Sequence, residues 1–264
     1  MKRSAASGTM QIVNKTEFSQ LETFIPIIEE QSQIGSFFQN LDKQFTLEQQ
    51  KYDKLVTLKK AMLEKMFPKE GEDVPEIRFK GFEEKWEKCN FGECFDERDE
   101  RSAQGELISV TINYGIRKFS ELNRHDNSSE DKTKYKRVRI GDIAYNSMRM
   151  WQGASGYSSY KGIVSPAYTV LSPRKNINSL FFSYLIKKPE MILTFQLRSQ
   201  GVTSDTWNLK FPAFSKIEIM RPKFHEQAKI GSYFQNIDKL ISLQQKKIDK
   251  LKNIKKACLE KMFV

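Results

Sequence analysis

Histidine is almost missing from this chain, with His125 and His225 the only two, and cysteine is scarce at three residues. Cys89, Cys94 and Cys258 make no CxxC pair, and an odd number suits neither a disulfide framework nor a zinc site. They read as reduced thiols of a cytoplasmic protein. No apolar run approaches the roughly 18 residues that a membrane span needs, and residues 1–8 carry no signal-peptide stretch. The sequence has no GxxxxGK[ST] loop for ATP, no glycine-rich cofactor loop and no Asn/Asp-Pro-Pro-aromatic motif for amino-methylation. No catalytic set, metal or cofactor is therefore expected.

What is present points to a folded, basic protein. The 264 residues are 39% hydrophobic and 29% charged, enough for a core and for one or two domains. The net charge of +11 is unevenly spread. Residues 69–131 hold ten cations against seventeen carboxylates, whereas 132–223 hold sixteen against four. A basic field confined to one part of a domain attracts phosphates and releases their counterions on binding.

An internal repeat organises the chain. Residues 30–67 return without a gap at 226–263, and 24 of the 38 positions are identical. Apolar residues in the first copy fall at Ile34, Phe38, Leu41, Phe45, Tyr52 and Leu55. In the second they fall at Ile230, Phe234, Ile237, Ile241, Ile248 and Leu251. Steps of four and three make a heptad seam, the signature of helices packed side by side. Pro26 and Pro222 precede the two copies, where proline can start a helix without interrupting it. Each copy predicts a rod of roughly 57 Å at 1.5 Å per residue.

Glu48, Gln244, Lys59 and Lys255 fall on the seam. Either they fix register and direction, or the helices rotate past them. Helices paired within one chain must run antiparallel, since a domain of about 150 residues separates them; helices paired between chains would make a homodimer. The heptads leave both open. Phe18-Ser19-Gln20-Leu21-Glu22 sits at the same offset from Phe214-Ser215-Lys216-Ile217-Glu218 as the helices do. Residues 1–25 thus resemble the tail of a second copy of the inserted domain, and a fragment or a natural half-length form is expected.

The expected organisation is a truncated domain tail at 1–25, a first helix at 26–68, a linker at 69–78, an inserted domain at 79–223 and a second helix at 224–264. Short β-prone runs at 107–110, 137–140, 143–145, 163–164 and 168–171 are separated by turn residues. Residues 180–186 and 191–197 predict helices, with Ser179 as a cap and Pro189 as the break between them. The fold class is α+β, or mixed α/β, with two long helices that form an antiparallel coiled coil if they pair within the chain.

The doubled Ile-Gly-Ser-Phe/Tyr-Phe-Gln-Asn-Leu/Ile-Asp helix opening resembles the conserved regions of type I restriction–modification specificity subunits. So does its lead-in, in which Pro26 precedes Glu29-Glu30-Gln31 and Pro222 precedes His225-Glu226-Gln227. Within the domain, the segments running from Gly141-Asp142-Ile143 to Arg149 and from Gly162-Ile163-Val164 to Val170 are similar to that family's target recognition domains. The resemblance covers essentially the whole chain. Such subunits usually carry two full recognition domains, and here there is one and a stub. The resemblance implies that each domain reads half of a split site on double-stranded DNA while the paired helices space the halves. Methyltransferase subunits dock on the helices, restriction subunits join the assembly, and the specificity subunit performs no chemistry.

Three groups are candidate DNA contacts. Tyr145, Asn146, Ser147, Arg149, Trp151 and Gln152 mix purine-pairing side chains with groups suited to thymine methyls; Tyr145 and Asn146 have a structural alternative because they belong to the shared motif. Arg198, Ser199, Thr203, Ser204 and Thr206 lie in or beside a polar, glycine-containing loop suited to hydrogen bonding. Lys134, Lys136 and Arg137, with Lys132 and Arg139, are assigned to the phosphate backbone, only one face of their strand being able to point at DNA. Two alternatives are weaker. Asp96-Glu97-Arg98-Asp99-Glu100-Arg101 could be a nuclease carboxylate cluster, but a solvated charged stretch is the preferred reading. A purely structural coiled-coil protein would leave the basic domain without a purpose.

Overall fold

A computed structural model describes residues 14–112, 115–122, 125–126 and 128–262. In chain order these form α1 (Lys15–Ser19), the long α2 (Ile28–Lys65), β1 (Glu87–Asn90), α3 (Phe91–Cys94), β2 (Phe95–Glu97), β3 (Ile108–Thr111), β4 (Gly115–Lys118), β5 (Lys136–Val138), β6 (Ile143–Asn146), β7 (Ser155–Tyr157), β8 (Gly162–Val164) and β9 (Tyr168–Pro173). There follow α4 (Ser179–Leu185), α5 (Pro189–Arg198), α6 (Phe211–Phe214), β10 (Glu218–Arg221) and the second long helix α7 (Phe224–Met262). The class is mixed α and β, and no helix among the described residues is long and apolar enough to cross a membrane. Two compact units emerge, one from 52–244 and one from 1–51 with 245–264.

The larger unit is built on antiparallel pairing. A four-stranded sheet runs β2-β9-β6-β7, and β1-β10, β3-β4 and β5-β8 form separate two-stranded ladders. All five expected β runs are strands, within one or two residues at their ends. The strands that sequence reading passed over are β1, β2, β4, β7 and β10. Their residues include Glu-Lys-Cys-Asn, Gly-Ile-Arg-Lys and Ser-Gly-Tyr, too short or too polar to signal a strand unless a partner ladder supplies the hydrogen bonds. The expected break between the two helices holds, and the cap of the first differs. Asn178, not Ser179, caps α4 by accepting from the Phe181 amide at 3.1 Å. Pro189 opens α5 at its first turn, where its missing N–H costs nothing.

Aromatic packing joins the helix segments of this unit to its sheet. Met66 and Phe67, just past the end of α2, are buried, and Phe67 stacks on Phe181 of α4 at 5.3 Å and Phe234 of α7 at 6.1 Å. Phe91 stacks on Phe214 at 4.3 Å beneath the sheet. Glu226 and Gln227, at the start of α7, are buried, and each of their side-chain polar atoms has a hydrogen-bond partner. Arg78 makes a bidentate pair with Glu226 at 2.7 Å, and Gln227 accepts from the Asn178 amide while donating to the Pro222 carbonyl. Buried polar groups so partnered orient the helix without the penalty of an orphaned charge.

Gly231 fits the same junction. A Cβ there would lie 2.9 Å from the Phe181 amide nitrogen and 3.2 Å from the Asn178 side-chain oxygen, so only glycine lets α7 approach the start of α4. Its repeat twin Gly35 faces open space.

In the smaller unit the seam is again the inner face. Leu41 and Ile248 are buried, Lys252 lies over the Phe45 ring, and Lys255 pairs with Asp42. In the larger unit Lys59 pairs with Asp238. The same two repeat positions bond in both places, with the acid and the base exchanged between copies. The seam lysines therefore meet acids from the other repeat rather than swinging into solvent, and Gln244 is buried. Residues 1–13, which hold half of the expected domain tail, lie outside the described residues. Its remainder includes α1, at the repeat position of α6. Phe18 and Leu21 there are exposed, whereas their twins Phe214 and Ile217 are core residues.

Candidate nucleic-acid interface

The anchor of the site is a buried ion pair at the start of β6. Asp142 accepts from Arg98 Nε at 2.8 Å, from Arg98 Nη2 at 3.0 Å and from the Arg139 amide at 2.8 Å. The same guanidinium donates to Ser172 of β9. This fixes the strand that delivers residues 145–147.

Strand alternation then sorts the first candidate group. Tyr145 points inward, fully buried and 5.2 Å from the Phe214 ring, and burial raises its hydroxyl pKa. It cannot touch DNA and is withdrawn from the contact set. Ser147 is also buried, and its hydroxyl shares a 2.9 Å hydrogen bond with Thr169. Its amide donates to the Ala167 carbonyl at 3.3 Å and its carbonyl accepts from Leu209 at 2.9 Å. Ser147 is therefore a hub that ties three loops together, not a reader. Asn146 is half-buried and accepts from the Met148 amide, shaping the turn. Beyond it Met148 and Arg149 are exposed, Met150 is a buried peg, and Trp151 and Gln152 are half-buried in a 3-10 turn.

The second group joins the first. Trp151 meets Trp207 edge-on, with ring centroids 5.2 Å apart, and Trp151 Nε1 donates to the Met148 carbonyl. The loop after α5 is closed at its base by paired Gln200 and Asn208 backbones. The Ser199 hydroxyl turns back to the Phe195 carbonyl, and Thr206 Oγ1 donates to the Thr203 carbonyl while accepting from the Thr203 amide. Those hydroxyls stiffen the loop, leaving Arg198 and Ser204 exposed. The two segments, separate groups in the sequence and linked here by one tryptophan pair, form a single surface.

The third group is largely neutralised. Lys136 is buried and bonds Glu97 at 2.9 Å, so it is withdrawn as a phosphate contact. Arg137 and Arg139 are exposed but both pair with Glu100 at 2.9 Å. Lys132 donates to the Ser129 carbonyl, and Lys134 has no ion pair among the described residues. The acidic stretch at 96–101 is not simply solvated: Glu97 and Glu100 are the counter-charges of this basic strand, while Asp96 pairs with Arg174 and Arg98 with Asp142. No group of three potential metal ligands occurs among the described residues.

Sequence reading missed a cleft of about 320 Å³ whose walls include His125, Asp126, Tyr135, Ser165 and Tyr168. Tyr168 is the register partner of Asn146, so the cleft adjoins the turn that presents Arg149. Its residues come from segments far apart in the chain that only the tertiary structure brings together. His225 is exposed beside Phe224.

The family described as "Type I restriction modification DNA specificity domain" matches residues 1–57 and 83–253. The specificity subunit of the type I restriction enzyme MjaVIII from Methanocaldococcus jannaschii is 25% identical over 138 residues, which is 50% of this chain and 32% of that protein. The crystal structure of the S subunit from M. genitalium shares the fold with a TM-score of 0.61 at 16% identity, over 99% of this chain and 68% of that one. The HsdS subunit from Thermoanaerobacter tengcongensis gives 0.55 at 18% identity, over 99% and 65%. The chain thus spans about two thirds of these solved subunits and about a third of the curated relative. It belongs to the type I restriction modification DNA specificity domain family.

Proposed function

We propose that this chain is a non-catalytic recognition subunit that reads a half-site on double-stranded DNA and directs the methyltransferase and restriction subunits of a type I complex to it. The observation that carries this reading is the single surface formed by residues 146–152 and 198–208, joined by Trp151 and Trp207. Arg149 and Arg198 are exposed there and lack ion pairs among the described residues, so both remain available to base edges and phosphates. Gln152 adds a second group able to pair with a purine edge, and Lys134 serves the backbone.

The two long helices act as an antiparallel coiled coil, the spacer and the docking surface for the methyltransferase. In support, Asp42 and Phe45 of the first copy meet Lys255 and Lys252 of the second, so numbering rises along one helix as it falls along the other. Lys59 with Asp238 repeats that sense. Exposed Phe18, Phe24 and Ile27 before α2 suit a partner surface, and a second copy of the chain is the proposed occupant. Light scattering of the full chain tests that pairing: a mass of one chain at all concentrations rejects it.

Co-expression with the methyltransferase subunits is the main test. A stable complex that methylates one DNA sequence, and that loses the preference on Arg149→Ala, is expected. Methylation by the chain alone, or a complex whose sequence preference ignores residues 146–152 and 198–208, refutes the reading.

A further inference from the structure

The loop between α5 and α6 ends in a bare apolar tip. Val202 is 98% exposed, although the turn around it is tightly hydrogen-bonded. On one side Gln200 and Asn208 exchange backbone hydrogen bonds at 3.0 and 2.8 Å. On the other, the amides of Thr206 and Trp207 both donate to the Thr203 carbonyl, and Thr206 Oγ1 closes the same turn. Gly201 has φ +144, and a Cβ on it would lie 2.6 Å from the Thr206 carbonyl oxygen, so the loop has room for glycine alone. Trp207, edge-on to Trp151, seats the base of the loop beside the turn that carries Arg149.

A stiff loop that places a β-branched side chain fully in water gains nothing from it in the free protein. We infer that Val202 enters the major groove and packs on the 5-methyl group of a thymine, making it a specificity-determining residue; this rests on the DNA-recognition reading above. The base follows from the chemistry of the tip. Val202 can neither donate nor accept a hydrogen bond, and the thymine methyl is the one apolar group that base pairs present in the major groove. The hydroxyls of Thr203 and Thr206 are turned toward each other and hold the turn. Valine is also short and rigid at χ1, so little side-chain freedom is lost on contact.

The test uses the full chain and a preferred duplex selected from random sequences. Each thymine of that duplex is replaced in turn by deoxyuridine, which removes only the methyl. At one position the wild-type chain should bind about fourfold more weakly, the factor expected for one buried methyl. Val202→Ala should lose roughly as much on the thymine duplex and nothing further on the deoxyuridine duplex. Gly201→Ala, which keeps the valine but displaces it, should abolish the same discrimination. Equal deoxyuridine penalties for wild type and Val202→Ala at every position overturn the inference while leaving DNA recognition intact. A wild-type chain without sequence preference overturns both.

Discussion

Gly35 and Gly231 occupy the same position of the two repeats, yet the structure assigns opposite signs to the same substitution. Gly35→Ala meets no atom within 4 Å, so its effect is that of a helix-interior glycine replaced by alanine, a gain of about 0.8–1 kcal/mol. Gly231→Ala has the same propensity gain, but its methyl collides with the backbone nitrogen of Phe181 at 2.9 Å and crowds the Asn178 oxygen that caps α4. Overpacking costs about 1–3 kcal/mol and loss of a cap about 1 kcal/mol. The net is a destabilisation of roughly 1–3 kcal/mol, two to four below its twin. The chain has three tryptophans, Trp86, Trp151 and Trp207, and all lie in the 52–244 unit. Urea unfolding followed by tryptophan fluorescence therefore isolates that unit. With a urea slope of about 1–3 kcal/mol per molar, Gly231→Ala should lower the midpoint by roughly 1 M, while Gly35→Ala leaves it unchanged and raises helix content by circular dichroism. A Gly231→Ala midpoint at or above that of wild type would refute the packing argument.

Other outcomes follow from individual contacts. Asp142→Ala should cost about 3–5 kcal/mol by the same fluorescence assay, because it strands the largely buried Arg98 guanidinium; a paired Arg98→Leu, Asp142→Leu chain should recover part of it, and equal losses would count against a buried pair. Lys134→Ala should reduce the salt dependence of DNA binding without touching stability, whereas Lys136→Ala should lower stability and leave the salt slope alone; the reverse pattern would return Lys136 to the phosphate contacts. Burial and the charge of Lys59 depress Lys187 to about 8, although its ammonium still bonds the Ile112 and Gly153 carbonyls. Above that pH the folded chain has shed a proton that the unfolded chain keeps until about 10.5, so rising pH favours the folded state. The stability of wild type relative to Lys187→Met should thus climb between pH 8 and 10, and a constant difference would exclude the shift.

Much was legible in the residues alone. The repeat, the seam and the five strongest strands depend on periodicity, which local sequence carries directly. Which residues of the candidate segments face out did not follow. Tyr145, which also had a structural alternative, and Lys136 read as contacts because aromatic and cationic side chains serve DNA well, yet strand alternation in β6 turns one into the core, and the other, on β5, pairs with Glu97 of β2. The union of the two candidate loops through Trp151 and Trp207, and the cleft beside Tyr168, depend on chain segments brought together from afar.

The sequence by itself determined that two copies of one helix flank one basic domain, because a 24-of-38 identity at constant offset imposes the same seam on both. Only the tertiary structure decided that the copies are not equivalent. Met66 and Phe67 are buried while Met262 is exposed, and Gly231 is pressed against α4 while Gly35 faces open space. The physical reason is that burial belongs to a residue's surroundings, and the inserted domain covers the end of the first helix and the start of the second.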